Sequence, residues 1–271
     1  TPADLIKYCQ QAGITSLELM GNVAEDLAGA PAGPARPANF REMSEEERAE
    51  FGLKREAHAE AMTAWRINEA SPEKYKELKA LFDEAGLHIH TVKFSPANWS
   101  DEEIDYAFES AKILGAKGVT NEIGHDAAKR LGPFAEKHDM YAVFHNHGQP
   151  GDSAFNFEEF LAYSPANMLN LDVGHYFGAT GVHPNGIIEK LHERIYSIHI
   201  KDKTAKDADP ADTNAPWGEG DTPLGDILQL IQHNKWNIYC DIELEYEIPE
   251  GSDAVAETKK CADYAKVLLA S

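Results

Sequence analysis

Short apolar segments alternate with longer amphipathic segments along this chain, and the apolar segments end in acidic, His or Lys residues. Four of them lie in its second half: YAVFHNHG (141–148), LNLDVGHYF (169–177), IYSIHIKD (195–202) and IYCDIELEY (238–246). In the third, Ile198 and Ile200 alternate with His199 and Lys201, the period of two that is typical of a β-strand. Residues 14–21, 88–94 and 118–124 follow the same pattern, so the sequence predicts seven strands.

Predicted helices separate these strands, which indicates βα units around a parallel sheet. No Gly-rich phosphate-binding sequence follows a strand, which argues against a dinucleotide-binding fold. The chain itself begins with a helix signal, with Thr1 as N-cap, Pro2 in the first helical position and Asp4 as an early acid. We therefore predict an α/β fold: one (β/α)8 TIM barrel domain over residues 1–271 that lacks its first strand in this chain.

This prediction implies a gap between the first and last strands. Intact barrels avoid open sheet edges, so we expect native residues upstream of Thr1 to fill the gap. Since such a segment is expected, the sequence does not fix the compartment.

Three local expectations follow from composition and pattern. Residues 22–39 are rich in Gly, Ala and Pro and predict a long loop. Gly132 and Pro133 predict an interruption of the helix over residues 126–139. LNLDVGHYF is read as one strand, with Gly174 allowing a turn that brings His175 over the barrel mouth.

Charge and composition exclude some classes of partner. With 25 Lys and Arg against 46 Asp and Glu, the formal net charge is −21, which argues against binding to nucleic-acid backbones or anionic membranes. No apolar run is long enough to span a bilayer. The three cysteines have no CxxC spacing, so neither a disulfide framework nor a cysteine zinc site is indicated.

The charged faces of the last four strands carry the candidate chemistry. Carboxylates and imidazoles inside a barrel are costly unless something compensates them, and one bound cation would compensate several at once. Oxygen and imidazole donors on consecutive strand ends suit Mn²⁺, Mg²⁺, Co²⁺ or Zn²⁺. We expect one such divalent cation to be held by His145, Asp172, His199 and Glu243. Glu245 is the alternative to Glu243.

Further polar residues at the same strand ends are candidates for catalysis and substrate binding. For proton transfer we expect Glu243, with His175 or Lys201 as partner. Glu18 and Glu122 also face the interior by alternation; an ion pair with Lys93 or a loop cap is the structural alternative for them. The candidates for substrate binding are His147, Glu122, Lys93 and Trp217. Trp217 lies in a Gly-flanked loop and would cover a sugar ring, or else pack on its own barrel.

At this point the chain resembles the xylose isomerase-like barrel superfamily, the sugar phosphate isomerase/epimerase group related to ketose 3-epimerases and inosose dehydratase. The resemblance rests on LDVGH, SIHIKD, the WGEGD loop and IELEYE. It implies that Asp172, His199 and Glu243 are metal ligands and that His175 contacts substrate. Family epimerases usually have a Glu where this chain has His145, which makes a mechanism with two glutamates doubtful and is more similar to the dehydratase branch. Endonuclease IV relatives need further His and Asp ligands and a basic face, which this sequence does not offer.

Three hypotheses about function remain open. The first is a metal-dependent isomerase or epimerase that transfers a proton next to the carbonyl of a keto-sugar or cyclitol through an enediolate. The second is a dehydratase, hydratase or lyase acting on a keto-sugar or keto-glycoside. The third is a sugar-binding barrel without turnover. In each, the expected partner is a small-molecule carbohydrate; the sequence leaves homo-oligomer formation open.

Overall fold

The computed structural model describes residues 1–37 and 40–270, apart from the side chain of Arg41. Its helices are α1 (Pro2–Ala12), α2 (Gly21–Ala28), α3 (Glu45–Asn68), α4 (Pro72–Glu84), α5 (Asp101–Ile113), α6 (His125–His138), α7 (Phe157–Leu161), α8 (Val173–Thr180), α9 (Asn185–Leu191), α10 (Leu224–Asn234) and α11 (Ala254–Ala270). Its strands are β1 (Ser16–Met20), β2 (His88–Lys93), β3 (Gly118–Glu122), β4 (Tyr141–His145), β5 (Asn167–Asp172), β6 (Ile195–Ile200), β7 (Asp202–Lys203), β8 (Asn214–Ala215) and β9 (Tyr239–Ile242).

Seven of these strands form one parallel sheet within the described part of the chain. Their spatial order is β1, β2, β3, β4, β5, β6 and β9, which is also their order along the chain. The sheet curls into a nearly closed barrel surrounded by helices, while β7 and β8 pair separately as a short antiparallel ladder. The predicted (β/α)8 TIM barrel fold is confirmed.

The barrel is open between β1 and β9, as the helix at the start of the chain predicted. No backbone pairing joins these two strands among the described residues. Cys240, at the centre of β9, is exposed although its partner Ile198 on β6 is fully buried. That another segment fills the gap between β1 and β9 stays a prediction.

Alternate residues of each strand face different environments. Val92, Val119, Phe144 and Ile198 pack in the hydrophobic core that the sheet shares with the helices. The residues between them are mostly polar and buried, and include Thr91, Thr120, Asn170 and Ser197. Since neighbouring residues of a strand point to opposite faces, these polar side chains line the inside of the barrel.

The long loop predicted over residues 22–39 is wrong in its first part, because residues 21–28 form α2. Ala24 and Ala28 are buried on one face of this helix, and Ala is the strongest helix former. Gly29 ends the helix in the left-handed conformation, with φ 96°, which a side chain would disfavour. Residues 38 and 39 of the predicted loop lie outside the described residues.

The predicted interruption at Gly132 and Pro133 is also wrong, because α6 continues through both residues. Pro133 has no N–H to donate within the helix, and the packing of α6 against the barrel compensates for the free energy of that missing hydrogen bond. A Cβ on residue 132 would lie 2.9 Å from Asn167 Oδ1, so Gly132 is what lets this face of the helix approach β5. The buried Leu131 and Ala135 flank this contact.

No described helix combines the length and the apolar character that crossing a bilayer requires. The longest, α3, has Glu at each of its first three positions and exposes most of its N-terminal half.

Candidate active site

The register of the sheet brings the polar strand ends to the same level. Glu122 on β3 pairs with His145 on β4, and Asp172 on β5 pairs with His199 on β6. Beyond β9, the backbone N–H of Glu243 donates to the carbonyl of Ile200 at 3.2 Å. These residues therefore meet at the carboxyl ends of the strands, where TIM barrels carry their chemistry.

Four side chains converge there, and they are the four that the sequence predicted. His145, Asp172, His199 and Glu243 each present one donor atom, and these atoms lie within 4.8 Å of one another. His145 Nε2 lies 3.4 Å from Asp172 Oδ2, and His199 Nδ1 lies 3.0 Å from Glu243 Oε2. Two ligands that share an ion at 2.0–2.2 Å are about 3.0–3.6 Å apart, so these spacings suit one cation.

Two of the donor atoms are left unsatisfied by the protein. His145 Nε2 and Asp172 Oδ2 are buried and have no hydrogen-bond partner. Lys201 Nζ lies 3.0 Å from Asp172 Oδ2, but not in hydrogen-bonding geometry. An unsatisfied buried polar atom costs about 1–3 kcal/mol, and a cation between the two would satisfy both. The residues present therefore fit a divalent ion.

The charge balance of the cluster points the same way. Five carboxylates are joined through ion pairs and imidazoles at the mouth: Glu18, Glu122, Asp172, Glu243 and Glu245. Two ammonium groups, those of Lys93 and Lys201, lie among them. With neutral imidazoles, as metal ligands require, three negative charges remain to be compensated by a cation; without one, Glu18 and Glu243 raise the pKa of His199 well above its ordinary value against the effect of burial, and a proton there compensates one of the three. Buried charges of one sign destabilise a fold unless they are compensated.

His145 belongs to two possible metal-binding groups, the four converging side chains and a set with Glu122 and His147, and its two nitrogens face different ones. Its Nδ1 lies 3.2 Å from Glu122 Oε2, so the Nδ1–H donates to that carboxylate and Nε2 faces Asp172. Burial alone would lower the pKa of His145, but Asp172 and Glu122 raise it above its ordinary value. The pKa of Glu122 falls to about 2 despite its partial burial, because His145 and Lys93 stabilise the carboxylate.

Glu243, not Glu245, completes the converging group. The Glu243 side chain is about one quarter exposed, and its Oε2 also lies 2.7 Å from Lys201 Nζ. Against the effect of burial, His199 and Lys201 hold the pKa of Glu243 far below its usual range. Glu245 is more exposed, and its Oε2 lies 2.5 Å from Lys201 Nζ and 3.5 Å from His175 Nε2.

Lys201 lies at the centre of the mouth, with only 2% of its side chain exposed. Its Nζ is within 3.0 Å of Asp172, Glu243, Glu245 and His175 Nε2. Burial would lower the pKa of Lys201, but Asp172 and Glu243 raise it well above its usual value. The side chain is therefore a fixed ammonium ion.

His175 reaches the mouth from a helix and not from a strand, so the reading of LNLDVGHYF as one strand is wrong. β5 ends at Asp172, whose carboxylate caps α8 by accepting a hydrogen bond from the His175 N–H at 2.7 Å. Gly174 is needed for close approach rather than for a turn: a Cβ there would overlap Lys201 Cγ and lie 2.7 Å from the Lys201 carbonyl oxygen.

The surroundings of His175 keep its imidazole neutral. Lys201 Nζ lies 3.0 Å from His175 Nε2, and Lys203 Nζ lies 3.3 Å from its Nδ1. Burial, reinforced by the two lysines against the opposing effect of Asp172, lowers the pKa of His175 to about 4. A neutral imidazole can exchange hydrogen bonds with a hydroxyl group but holds a proton weakly at neutral pH.

Three of the residues predicted to bind substrate lie together on the β2–β4 side of the mouth. His147 is about half exposed, and its Nδ1 lies 3.2 Å from Glu122 Oε2. Lys93 Nζ lies 2.9 Å from the other oxygen of Glu122, which is the ion pair considered as the structural alternative. Substrate binding by Glu122, Lys93 and His147 stays a prediction.

Trp217, the fourth, packs against the hydrophobic core of the barrel. Its loop is held by Asp202, whose carboxylate accepts hydrogen bonds from the N–H groups of Gly218 at 2.8 Å and Gly220 at 3.0 Å. Nε1 of Trp217 is buried without a partner. Its role as a cover over a sugar also stays a prediction.

Sequence reasoning missed the residues that support the candidate ligands. Asn146 holds Asp172 through both main-chain groups: its Oδ1 accepts from the Asp172 N–H at 3.0 Å, and its Nδ2 donates to the Asp172 carbonyl at 3.2 Å. Glu18 and Asn170 both contact His199 Nε2, at 2.7 and 2.9 Å. Alternation put Glu18 inside the barrel, but the ion-pair partner considered for it, Lys93, pairs with Glu122 instead, and Glu18 contacts His199.

A cavity of about 570 Å³ lies at the opposite end of the barrel, at the start of β4, β6 and β9. It is lined by aromatic residues that include Tyr141, Tyr196, Trp236 and Tyr239. This end of a TIM barrel serves stability rather than chemistry, and none of the converging side chains lines the cavity. We do not assign the reaction to it.

Sequence comparison decides the family. The model of the xylose isomerase-like TIM barrel family matches residues 51–266. The chain belongs to this family. No curated protein matches the sequence.

Solved structures of the xylose isomerase-like barrel type share the fold over nearly the whole chain. A xylose isomerase domain protein from Alicyclobacillus acidocaldarius superposes with a TM-score of 0.64 at 14% identity, covering 98% of this chain and 92% of the other. A sugar phosphate isomerase/epimerase from Parabacteroides distasonis gives 0.60 at 19% identity, with 97% and 89% covered. A xylose isomerase-like barrel protein from Mycobacterium smegmatis in complex with magnesium gives 0.56 at 13%, with 99% and 88% covered.

Two structures with named activities also share the xylose isomerase-like fold. A mannonate dehydratase from Streptococcus suis superposes with a TM-score of 0.58 at 15% identity, covering 73% of this chain and 82% of the other. A D-psicose 3-epimerase in the presence of D-fructose gives 0.53 at 10% identity, with 77% and 88% covered. At these identities the likeness shows the fold alone. The fold hosts both kinds of enzyme, so it does not select a reaction for this chain.

Proposed function

We propose that this chain is a divalent-cation-dependent enzyme that transfers a proton next to the carbonyl of a keto-sugar or cyclitol, as an isomerase or epimerase. The observation that supports it most is the convergence of His145, Asp172, His199 and Glu243 beside the buried Lys201. A sugar phosphate isomerase/epimerase and a D-psicose 3-epimerase share the fold.

His145 through Nε2, His199 through Nδ1, and the carboxylates of Asp172 and Glu243 would hold the cation. Imidazole and carboxylate ligands suit Mn²⁺, Mg²⁺, Co²⁺ or Zn²⁺, and a barrel of this family has been solved with magnesium. Bound there, the ion would polarise a substrate carbonyl and stabilise negative charge on its oxygen.

Lys201 and Glu243 divide the proton chemistry between them. Lys201 stays protonated, so it donates a hydrogen bond to the substrate oxygen on which charge develops and is not itself the base. Glu243 stays ionised, so its carboxylate has room for the proton from the neighbouring carbon, although the contacts with His199 and Lys201 that lower its pKa also weaken it as a base. The neutral His175 orients a substrate hydroxyl between these two groups and Glu245.

A dehydratase or lyase is the second candidate, and the identity of residue 145 favours it. An imidazole at this position leaves Glu243 without a matching carboxylate on the opposite side for epimerisation. One base and a departing oxygen need only Glu243 and a donor, and the ammonium of Lys201 lies 2.7 Å from Glu243 Oε2. A mannonate dehydratase shares the fold.

The charges at the mouth favour an unphosphorylated substrate. Lys93 is paired with Glu122, Lys201 with Asp172, Glu243 and Glu245, and Lys203 with Asp212 at 2.6 Å. Each of these ammonium groups is already compensated by a carboxylate. A phosphate dianion would add to the excess of negative charge instead of reducing it.

The test is incubation of the metal-loaded protein with free ketoses and with 3-keto-glucosides in deuterated water, followed by NMR. Deuterium incorporation at the carbon next to the carbonyl with an isomer or epimer as product supports the first reaction. Elimination products support the second. Asp172→Asn, which keeps the size of the side chain, is the matched control and should abolish either product.

Failure of both reactions in a protein that has bound its cation would contradict the proposal. The remaining hypothesis, a sugar-binding barrel without turnover, would then be supported by saturable sugar binding that persists in Asp172→Asn.

A further inference from the structure

Glu18, the acidic residue of β1, contacts the candidate metal ligand His199. Its Oε2 lies 2.7 Å from His199 Nε2, and its side chain is only 7% exposed. β1 is one edge of the open sheet, whereas His199 is on β6, next to the strand at the other edge. The contact therefore crosses the inside of the barrel between two strands that are not neighbours.

The two nitrogens of His199 face two different carboxylates. Nδ1 lies 3.0 Å from Oε2 of Glu243, which is itself a candidate ligand. Nε2 lies 2.7 Å from Glu18 Oε2 and 2.9 Å from Asn170 Nδ2, and since an amide nitrogen donates and does not accept, only the carboxylate can receive a hydrogen bond from Nε2–H. A neutral imidazole carries one proton, so if Nδ1 binds the cation, Nε2–H must donate a hydrogen bond. Glu18 is the acceptor that the fold supplies.

Glu18 is itself held in place. Asn170 Nδ2 lies 3.3 Å from the same carboxylate oxygen, and Asn170 pairs with Ser197 in the register between β5 and β6. The backbone of Glu18 is therefore held in β1, and its carboxylate is held by Asn170 of β5. A buried carboxylate with no partner would be strongly destabilising, which makes the His199 contact a built feature of the barrel.

We propose that Glu18 is a positioning residue for the metal centre: it accepts the Nε2–H of His199 and so presents Nδ1 to the cation. Carboxylates that act in this way orient the imidazole and increase its basicity as a ligand. The inference rests on the proposed metal site and adds to it a residue that does not touch the ion. Glu122 has the corresponding relation to His145, from the neighbouring strand.

The test compares the Mn²⁺ affinity of the wild type with that of Glu18→Gln, Glu18→Asp and Asp26→Asn by calorimetric titration. Glu18→Gln keeps the size and an acceptor but removes the charge, and it should raise Kd about 10- to 100-fold. Glu18→Asp keeps the charge on a shorter side chain and should recover part of the loss. Asp26→Asn removes the same charge at an exposed position of α2 and should leave Kd unchanged.

A second readout separates positioning from mere stability. In the Zn²⁺-loaded wild type, the His199 Nε2–H should give a slowly exchanging, downfield proton signal that shifts upfield in Glu18→Gln. A folded Glu18→Gln with a Kd within twofold of the wild type, or with an unchanged Nε2–H signal, would overturn the inference. If the wild type binds no divalent cation, the proposed metal site itself is wrong, and this inference falls with it.

Discussion

At the scale of single residues, Lys201 distinguishes this site from a simple ring of metal ligands. Its ammonium touches two of the four candidate ligands, Asp172 and Glu243, and is almost fully buried. The Lys201 ammonium therefore compensates the negative charge of these two carboxylates, and it also competes with a metal cation for them. Its Nζ lies 3.0 Å from Asp172 Oδ2 and 2.7 Å from Glu243 Oε2.

We expect Lys201→Met to lower kcat by about 10²- to 10³-fold, because the donor to the substrate oxygen is lost. The affinity for Mn²⁺ should stay the same or increase, because an ammonium ion no longer competes for Asp172 and Glu243. Steady-state kinetics and metal titration of the same preparation measure both. Lys190→Met, in an exposed ion pair with Glu158, is the control and should change neither. A Lys201→Met variant that loses Mn²⁺ binding but keeps its kcat would contradict this role of Lys201.

At the scale of elements, the packing of α8 against the end of β6 depends on Gly174. Gly174, in the first turn of α8, lies against the backbone of Lys201, the residue that follows the last residue of β6, so the helix that carries His175 packs directly on the end of the strand that carries His199. The spacing between them depends on the absence of a side chain.

We expect Gly174→Ala to destabilise the protein by about 1–3 kcal/mol, because the new methyl group has to displace Lys201. Gly186→Ala is the matched control: it is also a helical glycine, in α9, with nothing within 4 Å of a new Cβ. It should be neutral or stabilise by up to about 1 kcal/mol, since Ala is the better helix former. Denaturant unfolding compares the two variants, and equal stabilities would show that the contact at Gly174 can relax.

The elements that the sequence predicted best are those with a strict period and clear ends. α3 begins after Ser44 and α5 after Ser100, and each start carries a Ser followed three residues later by a Glu, a capping-box pattern that can be recognised in the sequence alone. One error arose where tertiary packing overrides a local signal, because Pro133 stays inside α6. The other arose because residues 22–28, which contain neither Gly nor Pro, were read together with the Gly- and Pro-rich residues that follow them. The end of β5 was misplaced because LNLDVGHYF remains apolar after the backbone becomes helical at Val173.

At the scale of the whole molecule, the parallel order of the strands made the four converging residues predictable. Once the strands are parallel neighbours, their ends meet, and His145, Asp172, His199 and Glu243 follow from alternation. Contacts across the barrel, such as that of Glu18 with His199, could not be predicted, because alternation gives the face of a residue and not its partner. Trp217 could not be placed because it lies in a loop, where the alternation of a strand gives no information.

The charge of the cluster at the mouth explains why the proposed reaction should require a bound cation. The cluster at the mouth holds more carboxylates than ammonium groups, and two of its donor atoms are buried without hydrogen bonds. The account therefore depends first on whether one divalent ion binds there.

Calorimetric titration of the metal-free protein with Mn²⁺, for the wild type and Asp172→Asn, tests this most directly. The account predicts one ion per chain for the wild type and a Kd raised by more than about 100-fold in Asp172→Asn, which keeps the shape but loses the charged ligand. Absence of binding to the wild type, or equal affinity in the two proteins, would contradict it.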